Sequence, residues 1–508
     1  MIANRFGRLL PIVLLFTLAW ALRLFLLGSP SIWLDESYTI DVASRGVGDI
    51  LKNTGDFHPP LYYVFLHFWL TLGRSEFMVR LPSALLGALS VPIAFVLART
   101  WLAERAAFLS ALLLAVSPLS VWYSQEARMY SQLAFLGLVS VLALSRLVQG
   151  GKPAWWLVYV ISTVAGLYTH YDMVALLVIE DVLLVGWCVR LRRRPGWVLP
   201  LALAQMASFV LFLPWLPVFV ANLRNLGDVH AISQVELLLD GGLNLPVLAG
   251  VLFFLLALIV AFFVWLRPAA SSVVHVETLS ALAVIVFFAA LTVFSALPLG
   301  TSLKRHVVTF LPYFLLLTVI GVIRIAGRSR SLAVSLVLLA CLALGVSYTQ
   351  RERENWRGAE SLVQREGRLG DVILFHASWV RSPFDYYYHG ALPQVELSPN
   401  DFVAQLSQVA GKYDRAWVIL SDDIYVDPKL GVRDWIGREW KLVEKSELAG
   451  ITVGLYQVPS GTTQRPTSKY RAVPPPSQAR HEPSAIGRPA LGRATGSSGY
   501  YDGTGPGV

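Results

Sequence analysis

The length of its apolar blocks constrains this chain more than any other feature. A bilayer's hydrocarbon core, about 30 Å thick, takes roughly 20 residues of helix to cross. Blocks of that order recur at 9–27, 81–98, 106–123, 131–148, 155–169, 173–189, 198–219, 245–266, 277–298, 307–323 and 331–348. Backbone polar groups exposed to lipid must be satisfied within their own segment, so the blocks are expected to be helices, about eleven in number. Composition agrees: 55% of the residues are hydrophobic and only 15% are charged, well below the soluble norm of about 25%. One further apolar stretch, "LYYVFLHFWLTLG" at 61–73, contains His67 and is too short to span. It reads as a helix lying at the interface, with His67 in a structural role.

Charge fixes an expected orientation. With 61–73 left out of the count, one set of loops holds Arg99, Arg105, Lys152, Arg190, Arg192, Arg193, Arg194, Arg267, Arg324, Arg328 and Arg330. Cytoplasmic loops carry such an excess, so the N-terminus is expected inside, as a retained signal anchor (Arg5, Arg8, then apolar 9–27). The net charge of +9 is explained by these loops, and nucleic acid is not an expected partner. Cys188 and Cys341 lie in apolar blocks, so no disulfide framework is indicated. Loops 28–80, 123–130, 169–172, 220–244 and 299–306 then share the outer face.

Beyond the last block the pattern changes. Residues 349–458 contain strand-like runs such as "DVILFHASW" and "RAWVILSDD", and read as a small extracytoplasmic α/β domain. Residues 459–508 are rich in Pro, Gly, Ser and Arg and are expected to be disordered. The fold class is therefore an α-helical polytopic membrane protein with a C-terminal α/β domain and a tail.

Polar residues gather on the outer face. Asp35 and Glu36 follow directly on the first block in "WLDESYTI". "GDFHPPLYY" holds His58 before two prolines that fix the backbone. "WYSQEARMY" groups Tyr123, Glu126, Arg128 and Tyr130, where Arg128 has the fork geometry to bind phosphate. "THYD" adds His170 and Asp172, and "SLKRHVV" adds Lys304 and Arg305 on the side where cations are unusual. Each stretch alone also fits a solvated loop or an interfacial belt. Glu180 and Asp181, inside a block, are expected to face the bundle interior.

The order "DE", "HPP", "RLPSALLGALSV" (80–91) and "YSQEARMY" resembles the GT-C polytopic glycosyltransferases, in particular glycosyltransferase family 39. That family comprises protein O-mannosyltransferase-like enzymes, with the related aminoarabinose transferases and RgtA/B/C/D-like bacterial relatives. The resemblance covers about residues 9–220, and rests on architecture beyond them. It implies a hexosyl- or mannosyl-type transferase using a polyprenyl-phosphate sugar, with an acceptor glycan, lipid or protein, in a cell membrane. It also implies Asp35 as catalytic base and an active-site place for His58. The aminoarabinose transferases do not share "HPP". On this reading Asp35 deprotonates an acceptor hydroxyl, and Glu36 and His58 orient the base or acceptor or hold a divalent metal. Arg128, Lys304 and Arg305 take the charge of the departing phosphate. The alternatives are a transporter or lipid flippase, for which Glu180 and Asp181 would be suited, and a lipid-linked oligosaccharide ligase or polymerase.

Overall fold

The structure is a computed structural model that describes residues 2–55, 58–191, 196–221, 301–326, 330–349, 353–376, 378–398, 401–421 and 431–459. The N-terminal part contains α1 (Ile2–Leu24), α2 (Leu34–Ser44), α3 (Val47–Lys52), α4 (Leu61–Trp69), α5 (Glu76–Ala98), α6 (Glu104–Val116) and α7 (Pro118–Ser124). It continues through α8 (Tyr130–Val148), α9 (Ala154–Leu167), α10 (Asp172–Leu191) and α11 (Val198–Phe212), then α12 (Thr301–Ala326) and α13 (Arg330–Thr349).

All the apolar blocks coincide with these helices except 245–266 and 277–298, which lie outside the described residues, as do loop 222–244 and the segment beyond 459. Among the described residues, five helices are long and apolar enough to cross a membrane: Glu76–Ala98, Tyr130–Val148, Val198–Ala221, Arg305–Ile323 and Ser331–Thr349. The pair α6–α7 makes a sixth if its 55° bend is taken as one broken span. Leu9–Leu24 and Ala154–Leu167 are apolar but shorter; a 14-residue helix rises only about 21 Å.

The bend has a local cause. Pro118 cannot donate a backbone hydrogen bond, and Ser117 caps the new helix by accepting from the Ser120 amide. Arg23, fully buried in α1, occupies this break. It donates to Ser120 Oγ at 2.8 Å, Ser124 Oγ at 3.1 Å and Ala115 O at 3.4 Å. Gln125 then donates to the Arg23 and Phe25 carbonyls, both at 2.8 Å, and closes the end of α1. The helices can approach because Gly87 of α5 has no side chain: a Cβ there would stand 2.0 Å from Ser124 Oγ.

α4 is nine residues long, a rise of about 14 Å. It buries Tyr62, Tyr63 and Leu66 and leaves Phe68 exposed, the two-faced pattern of a helix lying on an apolar surface. His67 Nδ1 lies 2.8 Å from the Ala43 carbonyl and ties α4 to α2. Glu180 and Asp181 are held inside the α9–α10–α11 group: Tyr159 donates to Glu180 at 3.3 Å and Gln205 to Asp181 at 2.7 Å.

The C-terminal part begins with α14 (Trp356–Glu366), capped by the Asn355 side chain. Five strands follow: β1 (Asp371–His376), β2 (Gln394–Leu397), β3 (Arg415–Leu420), β4 (Lys441–Leu448) and β5 (Ile451–Gln457). They form one sheet in the order β2-β1-β3-β5-β4, parallel across β2, β1 and β3 and antiparallel from β3 onward. β1 is buried throughout because both faces are covered. Ile373 and Phe375 pack with Trp356 and Val363 of α14 on one side. Val372 and Leu374 pack with Leu406, Val432 and Ile436 on the other.

This sheet unit sits on the helices near the end of α1. Tyr387 Oη accepts from the Ile32 amide at 2.8 Å, Ser382 donates to Asp41 at 2.6 Å, and Tyr386 donates to the Arg74 carbonyl. The contact brings the segment before α14, with Arg353, against Glu36 of α2.

Candidate active site

α2 follows α1 after a turn at residues 25–33 and carries Asp35 and Glu36 in its first turn. Carboxylates are favoured there by the helix dipole. The two side chains part at once, since neighbours on a helix point about 100° apart.

Glu36 points inward and is fully buried. Arg80 of α5 grips it with two hydrogen bonds, Nε to Oε1 at 2.8 Å and Nη2 to Oε2 at 2.6 Å. The Ala127 amide donates to Oε1 at 2.9 Å, and Arg353 Nη1 lies 3.1 Å from Oε2. Burial alone would raise the pKa of Glu36, but Arg80 and Arg353 outweigh it and hold the carboxyl below its ordinary range. Arg80 also donates to the carbonyls of Leu27, Pro30 and Ser31, which fixes the turn that delivers α2.

Arg353 links two acids. It meets Glu36 and donates to Glu126 Oε1 at 2.8 Å, with its guanidinium 5.4 Å from the Trp33 ring and 5.5 Å from the Trp122 ring. Trp122 Nε1 also donates to Glu126, at 2.9 Å. Burial raises the Glu126 pKa; Arg353 opposes this, and the negative charges of Glu36 and Asp35 reinforce it.

Asp35 points the other way and keeps 16% of its side chain exposed. Two guanidinium groups approach its Oδ2 from separate elements: Arg128 Nε at 3.9 Å and Arg305 Nη1, from α12, at 3.8 Å. Arg128 is steadied by donating to Thr39 Oγ1 at 3.0 Å. Beside them Tyr123 and Tyr130 form an edge-on pair with centroids 5.2 Å apart, and Tyr130 lies 6.0 Å from the His170 ring.

His170 opens a further cluster. Its ring is 4.9 Å from His58 and 5.7 Å from His306. His306 Nδ1 lies 2.9 Å from Asp172 Oδ2, and His170 Nδ1 lies 3.5 Å from Asp172 Oδ1. The "HPP" stretch is anchored here by the Leu61 amide, which donates to the Tyr168 carbonyl at 2.9 Å. Burial pushes the His170 pKa down to about 3; His58, His306 and Arg128 act in the same direction, and Asp172 opposes them.

The structure thus brings Asp35, Arg128 and Arg305 together, with Tyr123 and Tyr130 beside them. It brings His58, His170 and Asp172 together with His306. Glu36 and Glu126 belong to a third group with Arg80 and Arg353, and their setting among cations is hostile to a metal ion. The Lys304 side chain lies outside the described residues. Arg80 and Arg353 were missed by sequence reasoning. Arg80 carried a signal, being a cation at the mouth of an apolar block, where charge usually has a buried partner. Arg353 carried none, since "RERENWR" reads as an ordinary charged linker.

Replacing Arg80 by Met leaves Glu36 buried without its bidentate partner, a loss of about 3–5 kcal/mol. The Arg80→Met protein should melt at a lower temperature in detergent, and adding Glu36→Gln should recover part of that loss. Equal melting of Arg80→Met and wild type would contradict this account of the pair.

Residues 57–217 match the family model described as dolichyl-phosphate-mannose-protein mannosyltransferase. Among curated proteins none matches significantly. Among solved structures, ArnT from Cupriavidus metallidurans in the apo state is similar with a TM-score of 0.53 and 15% identity, over 89% of this chain and 98% of that one. The same protein bound to undecaprenyl phosphate gives a TM-score of 0.51 and 16% identity over the same shares. The apo oligosaccharyltransferase of Archaeoglobus fulgidus aligns with 91% of this chain and 75% of its own, at 12% identity and a TM-score of 0.49. The family match includes His58, Arg80, Glu126, Arg128, His170 and Asp172. Residues 57–217 thus match the mannosyltransferase family model, and the chain shares the fold of ArnT over 89% of its length.

Proposed function

We propose that this protein is a membrane glycosyltransferase. On this reading it moves a sugar from a polyprenyl-phosphate donor to an acceptor hydroxyl on a glycan, lipid or protein, inverting the anomeric centre. The observation that carries the reading is the Asp35 carboxylate with Arg128 at 3.9 Å and Arg305 at 3.8 Å, at the end of the bundle where α1 emerges. A polyprenyl tail keeps its phosphate at the membrane surface, so the groups that act on the sugar–phosphate bond must stand at helix ends. The undecaprenyl phosphate bound to the similar ArnT supports the choice of donor class, and the family match supports a mannosyl-type sugar.

The assigned roles follow the geometry. Arg128 and Arg305 bind the donor phosphate and stabilise the charge that grows on it as the bond to the sugar breaks. In doing so they give up part of their hold on Asp35. Asp35 stands partly exposed beside them, where it takes the acceptor's proton. Asp35 is the catalytic residue, and Glu36 positions it. Arg80 and Arg353 hold Glu36, and Arg353 couples the sheet unit to the site. Glu180 and Asp181, the residues a transporter reading needs, are instead tied to Tyr159 and Gln205 within the helix packing.

A general base contributes about 10²–10⁴-fold in rate. The Asp35→Asn variant should fold and still bind donor, but transfer sugar from a purified polyprenyl-phosphate sugar in detergent at least roughly a hundredfold more slowly. Near-normal turnover of Asp35→Asn beside an inactive Asp181→Asn would sink the assignment and favour the transporter.

The proposed site faces away from the cytoplasm. Loops 99–105 and 149–153, which hold Arg99, Arg105 and Lys152, meet at the other end of the bundle through Gln149 Nε2 and the Thr100 carbonyl, 3.1 Å apart. Cysteine placed at Lys412 in the sheet unit should label from outside with an impermeant reagent, and cysteine at Lys152 should not. The opposite pattern would overturn the orientation.

A further inference from the structure

Two buried side chains near Asp35 each hold a hydrogen that no neighbouring group receives. Tyr130, the first residue of α8, is 1% exposed, and His170, in the turn between α9 and α10, is 4% exposed. Among the described residues neither Tyr130 Oη nor His170 Nε2 has a hydrogen-bond partner. The form of His170 follows from its other ring nitrogen. Nδ1 accepts from the Asp172 amide at 3.1 Å, so the ring carries its hydrogen on Nε2 and is a donor there. We propose that Tyr130 Oη and His170 Nε2 form a subsite that donates hydrogen bonds to hydroxyl oxygens of the sugar carried by the lipid donor.

Both donors are held in place by their surroundings. Tyr130 packs edge-on against Tyr123, with centroids 5.2 Å apart. The His170 ring has His58 at 4.9 Å and His306 at 5.7 Å as ring neighbours. Gln132, two residues after Tyr130, donates to Thr169 Oγ1 at 2.9 Å and ties α8 to the turn that holds His170. The Tyr130 and His170 rings then stand 6.0 Å apart. A buried donor without an acceptor is disfavoured, and packing does not account for two of them on neighbouring rings. The charged groups around them are engaged elsewhere. Arg128 and Arg305 can only donate. Asp35 faces those two arginines, Glu126 is taken by Arg353 and Trp122, and Asp172 meets His306 and the Nδ1 side of His170.

The choice of a sugar rests on the transferase reading, in which Arg128 and Arg305 hold the donor phosphate and the acceptor approaches Asp35. The sugar is bonded to that phosphate and so occupies the neighbouring position, where Tyr130 and His170 continue from the two arginines. A phosphate oxygen is already met there by two guanidinium groups. Uncharged donors suit an uncharged hydroxyl, and a site built to bond a hydroxyl rejects an analogue that lacks it because its own buried groups are then left unpaired. An ammonium group in that place would set a donor against the His170 N–H. The pair therefore selects a neutral hexose with hydroxyls at the contacted carbons, and disfavours an amino sugar with its amine there.

The test uses the full chain purified in detergent. Its probes are bare polyprenyl phosphate, polyprenyl-phosphate mannose, and the monodeoxy derivatives of that mannose at C2, C3, C4 and C6. Equilibrium binding is compared for wild type, Tyr130→Phe, His170→Phe and His170→Gln, with melting temperature as the check on folding. Tyr130→Phe removes one oxygen and keeps the ring, so it serves even if His170→Phe unfolds. Tyr130→Phe and His170→Phe should each weaken binding of the mannosyl lipid by about tenfold, the worth of one neutral hydrogen bond, and leave binding of the bare lipid within about twofold. His170→Gln keeps an N–H donor and should recover most of the loss. One monodeoxy donor should bind wild type about tenfold more weakly than the parent, and the variant lacking the matching donor should no longer tell the two apart. Equal losses on bare and mannosyl lipid would assign the pair to the phosphate and overturn the proposal. So would a wild type that binds mannosyl lipid no better than bare lipid, or a folded Tyr130→Phe and His170→Phe that discriminate among the deoxy donors as wild type does. Transfer measured on the same samples separates the two claims. Sugar transfer without this binding pattern sinks the subsite and keeps the transferase; the pattern without transfer keeps the subsite and sinks the transferase reading alone.

Discussion

The site depends on one buried interaction, the two-pronged grip of Arg80 on Glu36. Two ions taken out of water cost more than their attraction returns unless their remaining hydrogen-bonding positions are filled. Here they are filled. The Ala127 amide and Arg353 take up further positions on Glu36, and the carbonyls of Leu27, Pro30 and Ser31 receive the other donors of Arg80. The pair therefore pins α2, α5, the turn after α1, the segment before α8 and the chain before α14 to a common point. Such a demanding set of partners has one arrangement, and that arrangement decides which way Asp35 faces.

This division of labour explains the adjacent acids. One carboxylate is spent on structure, where cations keep it ionised and out of reach. Its neighbour, a third of a turn away, remains partly exposed between two arginines that a phosphate could claim. The C-terminal sheet takes part through Arg353, whose guanidinium packs against Trp33 and Trp122 and bridges Glu36 and Glu126. The sheet is therefore built into the site's support, and a change at its docking surface would reach Asp35 through a single side chain.

Much of this was legible in the sequence. The apolar blocks located helices because lipid leaves the backbone no alternative, and the strand-like runs at 371–376 and 415–420 read correctly because both faces of those strands are buried. Asp35, Arg128 and Arg305 could be named from their places at block ends. The partition between Asp35 and Glu36 could not, because it depends on Arg80, 44 positions further along the chain. Arg353 was hidden in a charged run whose composition suits solvent. The bend at Pro118 was also read through as a continuous block, since a hydropathy pattern does not register the backbone hydrogen bond that Pro118 cannot donate. The histidine cluster shows the same limit: each member sat in a weak local motif, and only the packing of α4, α10 and α12 makes them neighbours.

The account has a stereochemical consequence that can be read directly. If Asp35 activates the acceptor hydroxyl while Arg128 and Arg305 hold the departing phosphate, the sugar is transferred in one displacement, with no sugar bound covalently to the protein. The decisive measurement is the anomeric configuration of the product formed from a polyprenyl-phosphate sugar of known configuration, read from the anomeric proton coupling in its NMR spectrum. The account predicts inversion. Retention would require an intermediate that this arrangement of residues does not supply, and would contradict Asp35 as the base.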